Sequence, residues 1–305
     1  MVVVLSIGSF AKWRYGSKFS GWVTFNVLLN LGISLAAEYT AIGSIFGTFL
    51  GTPPWIPIFV VGSITMIYTA TGGLYVSLLT DQYQTIFILS LLGIITGFVS
   101  FNFRVENLGP LPEYLGITDV GLSSFITLGV AMTSSTILSD AYWQRAWSAK
   151  DDRSLIIGST VGSVMIIVIT FMFGLGGFIA SWAGLVHDPN LAFLELLRIG
   201  DNHEIPMYML TVICLIATTM NESAVDSHQI AIGDTLISFF ESLGYEISLV
   251  HIRILLVLIN IPFAVLGMGG FRIISLYLIP NILTTCMVSV VHVGVASMLW
   301  NAALL

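Results

Sequence analysis

The chain has 305 residues, 56% of them hydrophobic and only 9% charged, with a formal net charge of −7. Soluble domains carry roughly 25% charged residues, so this chain lacks the means to build a solvated surface and is read as a protein of the lipid bilayer. Acidity without a basic block excludes nucleic acid as a natural partner. The two cysteines, Cys214 and Cys286, lie in apolar runs that suit inert core residues better than a disulfide or metal site.

The chain opens with MVVVLSIGSFAKWRYGSK, an apolar run followed by basic residues, the reverse of a signal peptide. That run is shorter than the roughly 20 residues a spanning helix needs, and it reads as the end of a helix whose beginning is missing. Apolar stretches then predict helices over 19–49, 54–73, 81–102, 122–147, 154–184, 205–240, 248–269 and 273–301, with Gly51-Thr52-Pro53-Pro54 as a sharp stop and restart. They form one transmembrane domain of about eight spans and a stub, several of them long enough to require tilt or breaks. The segment 190–198, NLAFLELLR, is amphipathic and is expected to lie at the membrane surface as a short external helix.

Lysine and arginine set the expected orientation. Lys12, Arg14 and Lys18 fall in a loop at 12–18, and Arg145, Lys150 and Arg153 in a loop at 145–153. The helix count puts both loops on one side, read as cytoplasmic at the plasma membrane. The loops at 103–121 and 185–204 are acid-rich, with Glu106, Glu113, Asp119, Asp188, Glu195, Asp201 and Glu204, and fall on the other side.

Ionisable groups at membrane depth cost several kcal/mol and mark functional candidates. Four stand inside predicted spans: Glu38, Asp140, Glu222 and Asp226. Asn26, Asn30, Ser34 and Glu38 recur every four residues and make a polar stripe, which either bonds to neighbouring helices or lines a solute pathway. Ser134, Ser135 and Asp140 lie in a hydroxyl-rich mid-span run, AMTSSTILSDAYWQRAW, of the kind that unwinds at transporter sites. Tyr142 and Trp143 either anchor at the interface or face a substrate, and Arg145 most simply snorkels to the cytoplasmic surface. In ATTMNESAVDSH (217–228), Asp226 follows Glu222 by one helical turn; the pair could relay protons or merely solvate a vestibule. Gly158 and Gly162 form a G-x-x-x-G read as a helix-packing face. Scattered His228, His251 and His292 suggest no metal site, and G-x-S-x-G, P-loop and H-E-x-x-H patterns are absent, so no enzyme activity is expected.

YTATGGLYVSLLTDQYQTIFIL (68–89) resembles the signature of the sodium/solute symporter family: Y-T-x-x-G-G-L closing one helix and T-D-x-x-Q opening the next. In that reading Gly72 and Gly73 allow a tight turn, and Thr80 or Asp81 caps the second helix. SDAYWQRAWSA (139–149) is similar to the Y-W-Q-R-A run of the family's urea transporter branch, with Ser139-Asp140-Ala141 standing where D-Q-S is usual.

The resemblance implies an all-α polytopic membrane protein built on the inverted five-helix repeat also found in amino acid transporters. It lacks that fold's first core helix and its C-terminal part, and so looks incomplete. It implies cation-coupled symport of a small polar solute, urea or similar, with sodium or a proton as the coupling ion and no cofactor. Counting back fifteen residues from Asp234 reaches Thr219, so that Thr218 and Thr219 fall where the family's ion-binding hydroxyl pair stands. Glu38, Asn30, Ser134, Ser135, Asp140 and Tyr142 are the expected solute pathway, and Glu222 and Asp226 a possible proton relay. The competing expectation is a truncated membrane protein that transports nothing and serves as an interaction subunit. An intramembrane hydrolase using Glu222 and Asp226 would need a second catalytic motif, and the sequence offers none.

Overall fold

In the computed structural model, which describes residues 6–104, 108–199 and 205–303, Ser6 caps the first helix by accepting the Ser9 backbone N–H. Helix α1 (Ile7–Tyr15) meets α2 (Ser17–Leu50) at one residue, Gly16. Its φ of 88° and ψ of 172° belong to a region that is essentially glycine's alone. The loop expected over 12–18 is therefore a single-residue corner. Residues 1–5, Glu106, Asp201 and Glu204 fall outside the described residues, as does the side chain of His292.

Helix α3 (Trp55–Asn102) joins the two helices expected at 54–73 and 81–102. The link predicted between them is a kink at Gly73, with φ 55° and ψ −151°, after which the helix resumes at once. The hydroxyl of Thr80 bonds to the Ser77 carbonyl one turn back, and Asp81 lies inside the helix; neither caps a new one.

The predicted span at 122–147 is broken into α4 (Asp119–Ile137) and α5 (Asp140–Trp147), with Leu138 and Ser139 at the break. Then follow α6 (Asp152–Trp182), the short α7 (Ala192–Glu195) between two 3₁₀ turns, α8 (Met207–Ser242), α9 (Leu249–Gly267) and α10 (Ile273–Ala303). Among the described residues all regular structure is helical. Among the described residues six helical stretches are long and apolar enough to cross a membrane, and Trp55–Thr71 and Ile273–Val288 are shorter apolar helices. These eight stretches fall on the eight apolar segments of the sequence. Stretch 217–228 lies within α8, a continuous helix.

Helix α2 stands at the centre: most of its apolar length is buried, whereas that of α6 is not. It packs on α1, α8, α9 and α10, and its polar residues Ser20, Thr24, Asn26, Asn30, Ser34 and Thr40 are buried with it. Close approach makes this possible. A Cβ on Gly8 would meet the Thr24 hydroxyl at 2.5 Å, and one on Gly267 would meet Tyr39 Cβ at 2.5 Å and the Ala36 carbonyl at 3.1 Å. By contrast, Gly158 and Gly162 have nothing within 4 Å, so the expected G-x-x-x-G contact is not made within the described chain; Gly176 and Gly177 are the α6 glycines that pack, against Phe193 and Ala192.

Segment 190–198 does not lie on the surface. Leu191, Leu194 and Leu197 are buried against Leu91 and Ile95 of α3 and Met209 and Ile213 of α8. Glu195 is wholly buried there and accepts the backbone N–H groups of His187 at 2.6 Å and Asp188 at 3.1 Å, which closes the turn that folds the segment inward. Cys286 is exposed rather than in the core, and Cys214 is half-buried; both are free thiols.

Candidate functional site

A polar cavity of about 550 Å³ opens between α2, α8 and the broken pair α4–α5. Its floor follows from helical periodicity. Asn30, Ser34 and Glu38 recur every four residues and share one face of α2. Ser223 and Ser227, also four apart, present their hydroxyls from α8. Ser135 and Thr136 come from the end of α4, Tyr142 and Arg145 from α5, Asp81 from α3 and Tyr277 from α10. The volume lies within the roughly 300–1,000 Å³ usual for small-molecule sites.

Three polar clusters shape this cavity. In the first, Arg145 donates to Asp81 at 3.0 Å, to Ser227 at 2.5 Å, more weakly to Ser77 at 3.4 Å, and to the Ala141 carbonyl at 3.2 Å. Ser223 completes the group by donating to the other Asp81 oxygen at 2.7 Å. Arg145 thus does not snorkel: the break at Leu138–Ser139 turns α5 so that this side chain meets α3 and α8. These charge-assisted bonds hold the guanidinium inside the bundle.

The second cluster surrounds Glu38. Tyr277 donates to one carboxylate oxygen at 3.0 Å, while the Asn221 amide donates to the other at 3.3 Å and to the Glu38 carbonyl at 2.7 Å. Three helices, α2, α8 and α10, therefore converge on one carboxylate. In the third, Ser135 donates to Asn30 at 3.0 Å, tying the end of α4 to the stripe on α2.

The structure brings Asn30, Glu38, Ser135 and Tyr142 together around the cavity, with Tyr142 half exposed. Ser134 and Asp140 are buried beside it and do not line it. Asp140 accepts the backbone N–H of Ile7 at 3.0 Å and the Thr235 hydroxyl at 2.9 Å, so it caps the N-terminus of α1 and ties that helix to α5 and α8. Asp226 is buried and accepts the Tyr68 hydroxyl at 3.0 Å, with Ser227 at 3.2 Å. It does not solvate a vestibule, whereas Glu222, one turn earlier, is half-buried. Thr218 and Thr219 are also half-buried and outside the cavity wall, the Thr219 hydroxyl being bonded to the Leu215 carbonyl at 2.8 Å. Among the described residues no group of three or more His, Cys, Asp or Glu side chains is placed to hold a metal ion.

Sequence reasoning missed Asp81, Ser223, Ser227 and Tyr277, and misassigned Arg145. A signal existed for two of them. Asp81 belongs to T-D-x-x-Q and Arg145 to Y-W-Q-R, so the two quoted motifs meet in space at their charged members. Y-T-x-x-G-G-L joins as well, through Tyr68 to Asp226 and Thr69 to Gln229 at 3.3 Å.

Fold and cavity together define a multi-pass helical membrane protein with a polar chamber at its centre. Residues 3–108 match the sequence model of the Sodium:solute symporter family. Over 292 residues the chain is 25% identical to Spermidine transporter DUR31 of Candida albicans, an alignment covering 93% of this chain and 54% of that protein. The chain spans about half the length of the curated relative it matches.

Proposed function

We propose that this chain is the cavity-forming part of a secondary active transporter of the sodium/solute symporter class, moving a small polar solute across the membrane together with sodium or a proton. The observation that carries this reading is the polar chamber of about 550 Å³ inside a bundle whose outer faces are apolar. A buried polar space in lipid is costly to maintain unless a polar solute uses it. The family match over 3–108 agrees with it.

Two solute classes fit. The Y-W-Q-R run points to urea. The chamber's charges favour an amine cation: Glu38 and Asp81 line it against a single guanidinium, Arg145, which is itself bonded to Asp81. The similarity to a protein named as a spermidine transporter supports the second class. Both solutes are rich in N–H donors, which a wall of carboxylate and amide oxygens is suited to bind.

Uptake of radiolabelled spermidine and of radiolabelled urea into proteoliposomes, with sodium and pH varied separately, tests the proposal. Saturable uptake of one solute that follows one cation gradient is the expected result. No uptake of either would favour a non-transporting membrane subunit.

A further inference from the structure

A second, smaller cavity of about 200 Å³ lies against the first, and Glu38 and Met220 belong to the walls of both. Along α2 the larger cavity is lined by Asn30, Ser34 and Glu38, the smaller by Glu38, Ala41 and Ile45. Along α8 the order is reversed in sequence: Ala217 and Asn221 face the smaller cavity, Ser223 and Ser227 the larger. The two spaces therefore succeed one another along the helix axes, and Ser34 and Ala41 are separated by about 10 Å of axial rise at 1.5 Å per residue.

At their junction stands a layer of side chains: Glu38 held by Asn221 and Tyr277, beside Met220. This layer has spare acceptor capacity. Asn221 is 4% exposed, yet its Oδ1 has no hydrogen-bond partner among the described residues. Each Glu38 carboxylate oxygen accepts one bond, where a carboxylate offers about four lone-pair sites in all. A buried amide oxygen left unmet at the boundary of two cavities is costly unless a donor reaches it at some stage.

We propose that Glu38, Asn221 and Tyr277 form a gate between two successive compartments of one solute path, and that Glu38 is the carboxylate that reads the solute. An N–H donor of the solute, an ammonium group in the polyamine reading on which this part rests, takes the place of Asn221 and Tyr277 as donor to Glu38 and in doing so releases the layer. The Asn221 Oδ1 receives a second N–H of the same group. Transfer between the compartments thus exchanges internal hydrogen bonds for solute bonds, which keeps the opening barrier low for a donor-bearing solute and high without one.

Cysteine accessibility tests this in the protein carrying Cys214→Ser and Cys286→Ser, reconstituted in vesicles. Ser34→Cys and Ala41→Cys are placed one on each side of the layer and labelled with a membrane-impermeant thiol reagent added to one face at a time. With the layer intact, the two are labelled from opposite faces. Asn221→Ala or the milder Tyr277→Phe accelerates labelling of Ala41→Cys from the face that reaches Ser34→Cys by about tenfold, the effect of one hydrogen bond lost from the closed state. Spermidine protects Ser34→Cys from the reagent, and Glu38→Gln abolishes that protection. Labelling of both positions from the same face in the intact layer, or unchanged labelling in both layer variants, would overturn the gate. Protection by spermidine that survives Glu38→Gln would overturn Glu38 as its reader. The labelling of the gate needs no transported solute, so a protein that moves neither spermidine nor urea sinks the transport reading separately.

Discussion

The Asp81 carboxylate on α3 accepts from the Arg145 guanidinium on α5 at 3.0 Å, across 64 residues of sequence. The side chains are 24% and 28% exposed, which places the bond among partly buried pairs rather than surface ion pairs of little worth. Together with Ser223 and Ser227, it is the point at which α3, α5 and α8 are held in register around the cavity.

Removing either partner leaves the other charge without its counter-ion. Arg145→Ala and Asp81→Asn are each expected to destabilise the protein. The double variant should lose less than the sum, with a coupling of about 1–3 kcal/mol. Thermal unfolding of the four proteins in detergent measures it, and additive losses would show that the pair contributes no stability of its own.

Asp140 is expected to behave as a structural residue. Asp140→Ala strands the Ile7 N–H and the Thr235 hydroxyl, each now bonded to a separate carboxylate oxygen. The cost of leaving such groups unmet is about 1–3 kcal/mol. Asp140→Asn keeps an acceptor and should recover part of that loss. In uptake assays of the folded fraction, the solute KM should stay unchanged in Asp140→Asn, and a several-fold rise would return Asp140 to the solute path.

Glycines separate by their surroundings. At Gly267 a Cβ would strike Tyr39 Cβ and approach α2 backbone atoms, none of which can rotate away. Gly267→Ala should therefore cost about 1–3 kcal/mol through overpacking. Gly158→Ala and Gly162→Ala meet nothing within 4 Å among the described residues and should leave the melting temperature unchanged or slightly higher. A large loss in the latter pair would reveal a partner seated on that face of α6.

The hydroxyl pair on α8 carries the ion prediction. Thr218→Ala and Thr219→Ala should each raise the sodium or proton concentration needed for half-maximal uptake, by about tenfold for loss of one hydroxyl ligand. Serine at either position should restore coupling, since it keeps the oxygen. Ion dependence that is unchanged in both alanine variants would remove these residues from the ion site.

Much of the architecture was legible residue by residue. The scarcity of charge demanded a lipid solvent, and the apolar stretches marked the helices to within a few residues at most ends. The crowding of hydroxyls in 131–147 signalled a broken span, which the structure places at Leu138–Ser139. The four-residue recurrence from Asn26 to Glu38 signalled a polar face on α2, part of which lines the cavity. Loop 12–18 and the link after Gly73 were misread because single glycines with positive φ do there what longer loops usually do. The amphipathic segment 190–198 was placed on the surface because a membrane-surface helix and a helix folded into a protein core show the same pattern; the buried Glu195 that folds it inward looks, in sequence, like any solvated acid.

The order of amino acids by itself determined the solvent, the helices and which of them carry polar faces. Those are local matters: a backbone in lipid must satisfy its hydrogen bonds within its own segment, so a span is recognisable without its neighbours. Only the tertiary structure decided that Arg145 faces Asp81 instead of the membrane surface. It likewise set Asp140 as a cap on α1 and put Glu38 at the meeting point of two cavities. Each of these depends on how helices far apart in the chain are rotated and set in height against one another. That is settled by close backbone approaches such as Gly267 on α2 and by the break before α5, neither of which leaves a periodic signature in the sequence.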